Sequence, residues 1–413
     1  MFDRRTFTGL LAGILAVPGT SSAQSKTGRV FFYDGIGPEL TLYDINIDDV
    51  TLARQSSVML PAKIQYVWPH PAANIIYAAS SNGGPGIAGD LHRASALRID
   101  PTTGASTSFG SAAVLRSRPI HLSVDPSGAY VLIAYNDPSG VSVHRINQDG
   151  TIGDEVKQTS TLDVGIFAHQ IRVTPSGTMA VLVTRGNDAA GSKPEDPGAL
   201  KVFTWKDGQL SNRASVAPGG GYGYGPRHLD FHPTQPFVYV SLERQNKLHV
   251  YHVDNDAIGS QPLFIKDTLA EPGNVRPRQI AGTVHTHPNG RTVYVANRSD
   301  AMTEFSGKKV ALPGENNIAV FTLAPGTGEP TLAQTIDTHG FHPRTFALDP
   351  SGRMMVAANI TARLVRDGDQ VRTQPATLAA YRVGDDGKLS FVRSYEVETG
   401  SNLQFWSGMV AAS

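Results

Sequence analysis

The chain has 413 residues, of which 40% are hydrophobic and 17% charged, with a formal net charge of zero and no cysteine. This composition is typical of a folded globular protein. It argues against nucleic acid as a partner, because phosphate binding needs a basic surface, and it excludes disulfides, thiolate nucleophiles and thiolate metal sites. The 42 glycines and 27 prolines favour many short strands joined by turns.

The N-terminal segment has the features of an export signal. Arg4-Arg5 precedes an apolar run, Gly9–Val17, which is too short to span a bilayer, and Ser21-Ser22-Ala23 is a small-residue cleavage site. Paired arginines in this position are typical of a twin-arginine signal. We therefore predict a signal peptide at 1–23 and a mature domain at 24–413. The protein is expected in the periplasm or outside the cell, without a stable membrane anchor after cleavage.

Six segments of the mature chain share one pattern. Each has alternating apolar residues, a short turn containing proline, and a second apolar strand that ends in a polar residue. The turn prolines are spaced 55, 49, 58, 55 and 62 residues apart. They are Pro71, Pro126, Pro175, Pro233, Pro288 and Pro350. A period near 50 residues with strand signals throughout predicts a β-propeller.

Two further segments lie outside the six repeats. Arg29–Ile45 has strand character but no proline turn before it, and Leu403–Val410 resembles an inner strand with nothing after it. One blade built from both termini would close the ring and pair the open strand edges. The sequence therefore predicts an all-β fold, a seven-bladed β-propeller of four-stranded blades, with no long helix.

Polar residues recur at the predicted rim of this ring. The first strand of each blade lies next to the axis, and the residue entering it and the residue leaving the second strand come to the same end of the sheet. The entering positions, six before the turn proline, are Gln65, Ile120, His169, Arg227, Gly282 and Arg344. The leaving positions are Asn82, Asn136, Arg185, Glu243, Arg298 and Asn359. The segments that follow are predicted to be loops on this rim: Gly83–Arg93, Asn187–Pro197, Ser299–Asn316 and Thr361–Gln374.

The histidines outside these rim positions have more than one interpretation. His70, His232 and His287 each precede a turn proline, so we predict that they cap turns on the opposite rim. His285 lies inside an inner strand, where it is either a satisfied core group or a functional group facing the channel. The chain has no HExxH, P-loop, dinucleotide or GxSxG motif, so the sequence does not support the reactions that depend on them.

Three motifs resemble one family. They are GPRH at Gly225–His228, YVSLE ending at Glu243, and FHPRTFALDPSGR at Phe341–Arg353. They are similar to motifs of the bacterial seven-bladed propeller lactonases, a family that includes the propeller-type 6-phosphogluconolactonase and the carboxy-muconate lactonising enzymes. The resemblance covers nearly all of Arg29–Val410. One departure is Leu242, where the family usually has asparagine.

The resemblance implies a site and an activity. His169, Arg227, Glu243 and Arg298 match the family's catalytic positions. His228, His285 and Arg344 match further family positions and, with Asn359 from the leaving positions, are expected to bind substrate. The implied activity is hydrolysis of a small lactone without a cofactor or a metal ion. Because the chain carries an export signal, we expect a sugar-type or carboxylated lactone without a phosphate. A lactonising isomerase and a non-catalytic binding propeller remain open alternatives.

The residue types suggest a chemical role for each of the four catalytic candidates. A glutamate beside arginines stays ionised and is a weak base, so we expect His169 to activate water and Glu243 to support it. Arg227 and Arg298 are suited to the ester carbonyl and the product carboxylate, because guanidinium groups bind both. A metal-dependent lactonase needs several carboxylate or amide ligands around the axis. Glu243 is the only acid among the rim positions.

Overall fold

The computed structural model describes residues 28–254 and 257–412. The predicted signal peptide at 1–23 lies outside these residues. The described chain is built from β-strands and one short 3-10 helix at Pro218–Gly221. Within the described ranges, no helix is long and apolar enough to cross a membrane.

The first part of the chain forms three N-terminal strands and three complete blades. The N-terminal strands are β1 (Arg29–Ile36), β2 (Glu39–Asn46) and β3 (Thr51–Met59). Blade 1 contains β4 (Lys63–Pro69), β5 (Ile75–Ser81), β6 (His92–Ile99) and β7 (Ser106–Val114). Blade 2 contains β8 (Pro119–Val124), β9 (Tyr130–Asn136), β10 (Ser139–Ile146) and β11 (Ile152–Glu155). Blade 3 contains β12 (Ala168–Val173), β13 (Met179–Thr184), β14 (Ala199–Lys206) and β15 (Gln209–Val216).

The second part forms three more blades and the closing strand. Blade 4 contains β16 (Pro226–Phe231), β17 (Phe237–Leu242), β18 (Lys247–Asp254), β19 (Ala257–Ile258) and β20 (Phe264–Asp267). Blade 5 contains β21 (Gln279–Thr286) and β22 (Thr292–Ser299), an inserted hairpin of β23 (Met302–Phe305) and β24 (Lys308–Ala311), then β25 (Asn317–Leu323) and β26 (Pro330–Asp337). Blade 6 contains β27 (Pro343–Leu348) and β28 (Met354–Asn359), an inserted hairpin of β29 (Arg363–Asp367) and β30 (Gln370–Gln374), then β31 (Ala376–Val383) and β32 (Leu389–Val397). The closing strand is β33 (Gln404–Ala412).

The seventh blade joins the two ends of the chain. Its sheet has the order β3-β2-β1-β33, and Arg29 lies opposite Ala412 in an antiparallel pair. The inner strand β33 packs beside β27 of blade 6 and β4 of blade 1. The predicted seven-bladed propeller, closed by pairing of the terminal strands, is confirmed.

The hydrophobic core lies between neighbouring blades. Strand residues alternate between the two faces of each sheet, and both faces are covered by the adjacent blade. In one cluster Val181 and Val183 of blade 3 pack against Leu229 and Val240 of blade 4. Each blade is therefore stabilised by its neighbours, and the ring places the inner strands around one channel.

Three histidines on the rim opposite the predicted site connect adjacent blades. In each case Nδ1 accepts backbone N–H groups of its own turn, so Nε2 carries the proton and donates to a glycine carbonyl of the next blade. These Nε2–O distances are 3.1 Å for His70–Gly128, 2.8 Å for His232–Gly290 and 2.9 Å for His287–Gly352. The prediction that these histidines cap turns is confirmed, and each also holds two blades together.

Two of the predicted loops are strands. The hairpin β23–β24 joins β29–β30 through a parallel bridge between Ala311 and Val365, which creates an additional four-stranded sheet. The prediction of loops was wrong here. Ser306 and Gly307 between β23 and β24 both have positive φ, as a tight hairpin turn requires.

Candidate active site

A β-bulge recurs in the inner strands and orients the predicted entering residues. The pairing register skips one residue in each of six inner strands, and a bulge of this kind redirects a side chain. The skipped residues are Gln65, Ile120, His169, Arg227, Arg344 and, in the closing strand, Phe405. The corresponding shift in blade 5 spans Gly282 and Thr283. We call this end of the channel the upper mouth.

One carboxylate at the upper mouth joins arginines from three consecutive blades. Arg185 Nη1 lies 2.7 Å from Glu243 Oε2, and Arg227 Nε lies 3.0 Å from Oε1. Arg298 also donates to Oε1 through Nη2. Arg227 comes from a bulge, whereas the other three residues occupy the leaving position ten residues after their turn prolines. Gly282 packs closely behind this cluster, since a Cβ there would lie 3.2 Å from the Ala296 carbonyl oxygen and 3.4 Å from Arg298 Nε.

This cluster keeps its charges although it is buried. Glu243, Arg227 and Arg298 have side-chain exposures of 7%, 1% and 3%. Burial alone would raise the pKa of Glu243, but the charges of Arg298, Arg227 and Arg185 outweigh it and lower that pKa to about 2. Burial and the neighbouring Arg298 lower the pKa of Arg227 to about 9. At neutral pH the carboxylate and the guanidinium are therefore both ionised.

Two imidazoles lie beside these charges. The rings of His169 and His228 are 5.1 Å apart, and Arg227 Nη1 lies 3.0 Å from His228 Nδ1. Burial, followed by the charge of Arg227, holds the pKa of both histidines well below the usual value. Both rings are therefore neutral at neutral pH. Nδ1 of His169 is buried and has no hydrogen-bond partner among the described residues.

Two more arginines bring positive charge without a matching acid. Arg344 lies 3.5 Å from the centre of the Phe405 ring and donates through Nε to the Phe405 carbonyl. Arg118 lies 5.9 Å from the same ring and donates to Gln65. In the described part of the chain, neither guanidinium is ion-paired with a carboxylate. Among the described residues, the upper mouth thus combines five guanidinium groups with the one buried carboxylate of Glu243, which favours an anionic ligand.

The structure does not gather all of the predicted site residues in one place. His169, His228, Arg227, Glu243, Arg298 and Arg344 lie at the upper mouth. His285 lies three residues beyond Gly282 along β21, about 10 Å farther down the channel. There its Nδ1 faces Asp230 Oδ2 at 3.8 Å.

Asn359, another predicted substrate-binding residue, forms its hydrogen bonds within the fold and not at the upper mouth. It follows its turn proline by nine residues rather than ten, so the count that placed it beside Glu243 and Arg298 was off by one. A shift of one residue turns a strand side chain to the other face. Its amide donates to the Thr338 carbonyl and to Thr377 Oγ1, and it accepts from Thr338 Oγ1. These bonds satisfy the amide within the fold, so we do not propose Asn359 as a substrate contact.

Sequence reasoning did not select Arg185 or His342 for the site. Arg185 was among the leaving positions, and its contact with Glu243 could have been inferred from that register. His342 belongs to the FHPR motif and lies with Nε2 3.0 Å from Arg298 Nη1. The backbone of His342 has a φ of 58°, and this turn brings the side chain to the cluster. The residue types in the sequence do not predict such a turn.

The fold and this cluster define a class: a seven-bladed propeller with a charged, imidazole-containing site at one mouth of its channel. The family model for the 7-bladed beta-propeller lactonases matches residues 32–366. This match covers well over half of the chain. The chain therefore belongs to the 7-bladed beta-propeller lactonase family.

Relatives and solved structures agree with this assignment. The chain is 28% identical over 325 residues to a 6-phosphogluconolactonase of Bacillus subtilis, which covers 77% of this chain and 84% of that protein. It is 26% identical to a 6-phosphogluconolactonase of Pectobacterium atrosepticum, with 71% and 79% covered. The periplasmic gluconolactonase of Pseudomonas aeruginosa shares the fold, with a TM-score of 0.64, 20% identity, and 93% and 100% of the two chains covered. These relatives support lactone hydrolysis as the class of activity and a small-molecule lactone as the partner.

Proposed function

We propose that the protein hydrolyses a small sugar-type or carboxylated lactone at the upper mouth. The observation that carries the proposal is the Glu243 carboxylate bound to Arg185, Arg227 and Arg298 beside the neutral imidazole of His169. A lactone is a cyclic ester, and its hydrolysis needs a proton acceptor for water and a donor for the developing oxyanion. The cluster provides both within one buried group of side chains.

In the proposed reaction, His169 accepts a proton as water attacks the ring carbonyl carbon. Arg227 and Arg298 stabilise the negative charge on the carbonyl oxygen. The ring C–O bond then breaks, and the proton passes from His169 to the leaving alkoxide, which gives one hydroxyl group and one carboxylic acid. The acid releases its proton to the solvent and becomes the carboxylate. Glu243, with its pKa of about 2, is a poor base and instead holds the arginines in place.

The proposed substrate carries a negative charge, or its product carries one after the ring has opened. Arg118 and Arg344 supply guanidinium groups that no described carboxylate neutralises, and guanidinium groups bind carboxylates well. The predicted export signal favours a lactone without a phosphate. We therefore place a carboxylated lactone first and a neutral aldonolactone second. A phosphorylated lactone, the substrate that the names of the Bacillus and Pectobacterium relatives indicate, is a third arm of the test.

The test is product analysis in ¹⁸O-labelled water with the purified protein. Three substrates are compared, namely glucono-1,5-lactone, 6-phosphoglucono-1,5-lactone and muconolactone, each corrected for spontaneous opening. The proposal predicts enzyme-dependent label in the product carboxylate. Turnover without label indicates an isomerase that breaks the ring by proton transfer at carbon. Binding without any turnover indicates a non-catalytic propeller.

A further inference from the structure

The opposite end of the channel contains a second group of polar and aromatic side chains that the proposed reaction does not use. Three residues before the turn prolines, the inner strands carry Trp68, Arg172, Asp230 and His285. Arg172 lies 4.9 Å from the Trp68 ring and donates to Asp230 Oδ1 at 2.7 Å. These residues come from blades 1, 3, 4 and 5, so their contacts cross the channel. We call this end the lower mouth.

The two mouths are separated by a layer of rings. The Tyr66 ring lies 4.1 Å from His121 and 6.4 Å from Trp406, and His121 is completely buried. His121 in turn lies 6.5 Å from His228 of the upper cluster. The lower mouth is therefore a separate site rather than an extension of the upper one.

A cavity of about 310 Å³ opens at the lower mouth. Trp68, Tyr66, Phe346 and Trp406 form its aromatic walls, and His285 lies among them with 34% of its side chain exposed. This volume is at the lower end of the range for small-molecule sites, so it suits a single ring.

Polar side chains also line or adjoin the cavity. Thr286 and Ser407 line it, but their hydroxyl oxygens are covered by neighbouring atoms. The half-buried imidazole of His285 is therefore the polar group in the lining that a ligand can reach. Asp230 is ionised, because His285, Arg172 and the Thr286 N–H outweigh the effect of burial and lower its pKa to about 2.

The charged side chains beside this cavity, Arg172 and Asp230, lie outside its lining and balance each other, unlike those at the upper mouth. Arg172 and Asp230 neutralise each other, and at 3.8 Å the contact of His285 with Asp230 is electrostatic rather than a hydrogen bond. A strongly charged ligand would therefore gain little here. A neutral ring with several hydroxyl groups fits better, because its C–H face can pack on Trp68 while one of its hydroxyls reaches His285.

We propose that the lower mouth is a second ligand site that binds a neutral, hydroxyl-rich ring such as a pyranose. The site goes beyond the proposed lactone hydrolysis and does not depend on it. Tryptophan fluorescence can report binding at this site, because two of the three tryptophans, Trp68 and Trp406, line the cavity. The third, Trp205, lies in the core between blades 2 and 3.

The experiment titrates methyl β-D-glucopyranoside into the Trp205→Phe protein and records tryptophan emission. We expect a saturable change, weakened about tenfold by His285→Ala, the loss typical of one good hydrogen bond to a charged or polar group. Trp68→Phe should reduce the signal, and Arg227→Ala at the upper mouth should leave the affinity within about twofold. Saturation-transfer NMR with the unmodified chain gives the same comparison if Trp205→Phe does not fold.

Three outcomes would overturn the proposal. The first is no saturable change in emission or saturation transfer. The second is binding that Arg227→Ala abolishes and His285→Ala does not affect, since this would place the sugar at the upper mouth. The third is tighter binding of benzyl alcohol than of the glucoside, which would show that the cavity selects an aromatic ring rather than a polyol. The sugar-binding experiment does not depend on lactone hydrolysis. Its three outcomes can therefore be interpreted even if the protein has no lactonase activity.

Discussion

Arg227 Nε lies 3.0 Å from Glu243 Oε1, and the two side chains are 1% and 7% exposed. Arg227 enters from the bulge in β16, and Glu243 follows the end of β17 in the same blade. The contact therefore depends on one hairpin, whereas Arg185 and Arg298 reach the same carboxylate from the neighbouring blades. This arrangement leads to five predictions.

Replacing Arg227 with alanine should lower kcat/KM about a hundredfold or more, because loss of one oxyanion donor costs about 2.7–4 kcal/mol of barrier. The measurement is steady-state kinetics on the best substrate, with circular dichroism to confirm folding. Arg213→Ala, in the exposed outer strand of blade 3, is the matched control and should be fully active. A folded Arg227→Ala enzyme with normal kcat/KM would contradict the assignment.

Replacing Glu243 with glutamine should destabilise the protein by about 3–5 kcal/mol, because three guanidinium groups lose their buried partner. The effect depends on pH. The pKa of Glu243 is lowered from 4.5 to about 2, so its contribution is complete above about pH 4.5 and is lost as the pH falls toward 2. Urea unfolding at several pH values measures the difference in free energy of unfolding between the wild type and Glu243→Gln. This difference should decrease as the pH falls from about 4.5 toward 2. Glu396→Gln, an exposed control, should show no such dependence.

The activity of the wild-type protein should persist below pH 6.5. Burial and Arg227 hold the pKa of His169 well below this ordinary value, so the imidazole remains an acceptor in mild acid. His169→Asn should reduce kcat by about 10²–10⁴-fold, the usual contribution of a general base. The check is a pH profile of kcat/KM for both proteins. An acid limb centred at or above pH 6.5 would mean that another group is the base.

Replacing Arg344 with glutamine should raise KM for a carboxylated lactone about tenfold and change KM for a neutral lactone much less, since a hydrogen bond to a charged group contributes about 1.5–3 kcal/mol. The physical reason is that no described carboxylate pairs with this guanidinium. Initial rates on both lactones, compared with the Arg213→Gln control, measure the difference. Equal losses on both substrates would indicate a structural role for Arg344.

Treatment with a chelator should leave the activity unchanged within about twofold. The upper mouth contains five guanidinium groups, and the Glu243 carboxylate already binds three of them, so the electrostatic environment opposes a divalent cation. Activity before and after dialysis against EDTA measures this. Loss of activity that returns on adding a metal ion would refute the proposed metal-free chemistry.

The repeat of turn prolines predicted six blades, and the strand-like segments Arg29–Ile45 and Leu403–Val410 outside it predicted the seventh blade and its closure by both termini. It also predicted which positions supply Arg227, Glu243 and Arg298, because the spacing from each turn fixes the register. The position of His285 was not predictable in the same way. His285 resembles a residue at a family position, but it lies three residues along β21 from Gly282 and therefore at the lower mouth. The residue types alone do not indicate which of the two mouths binds a ligand.

Local backbone geometry accounts for the remaining differences. The bulges that redirect His169 and Arg344 depend on pairing with the neighbouring strand, which a single strand's pattern does not contain. Asn359 was misplaced because the second strand of blade 6 has its polar residue one position early. The hairpin around Ser306-Gly307 was missed because variable segments after a leaving position were all treated as loops.

The closing strand β33 has a consequence for how the protein folds. Phe405 supports Arg118 and Arg344 at the upper mouth, and Trp406 forms a wall of the lower cavity. Both residues reach their places only when β33 pairs with β1, which lies more than 360 residues earlier in the sequence. A chain cut before β33 therefore lacks part of both mouths. Ligand binding at either end reports that the ring has closed.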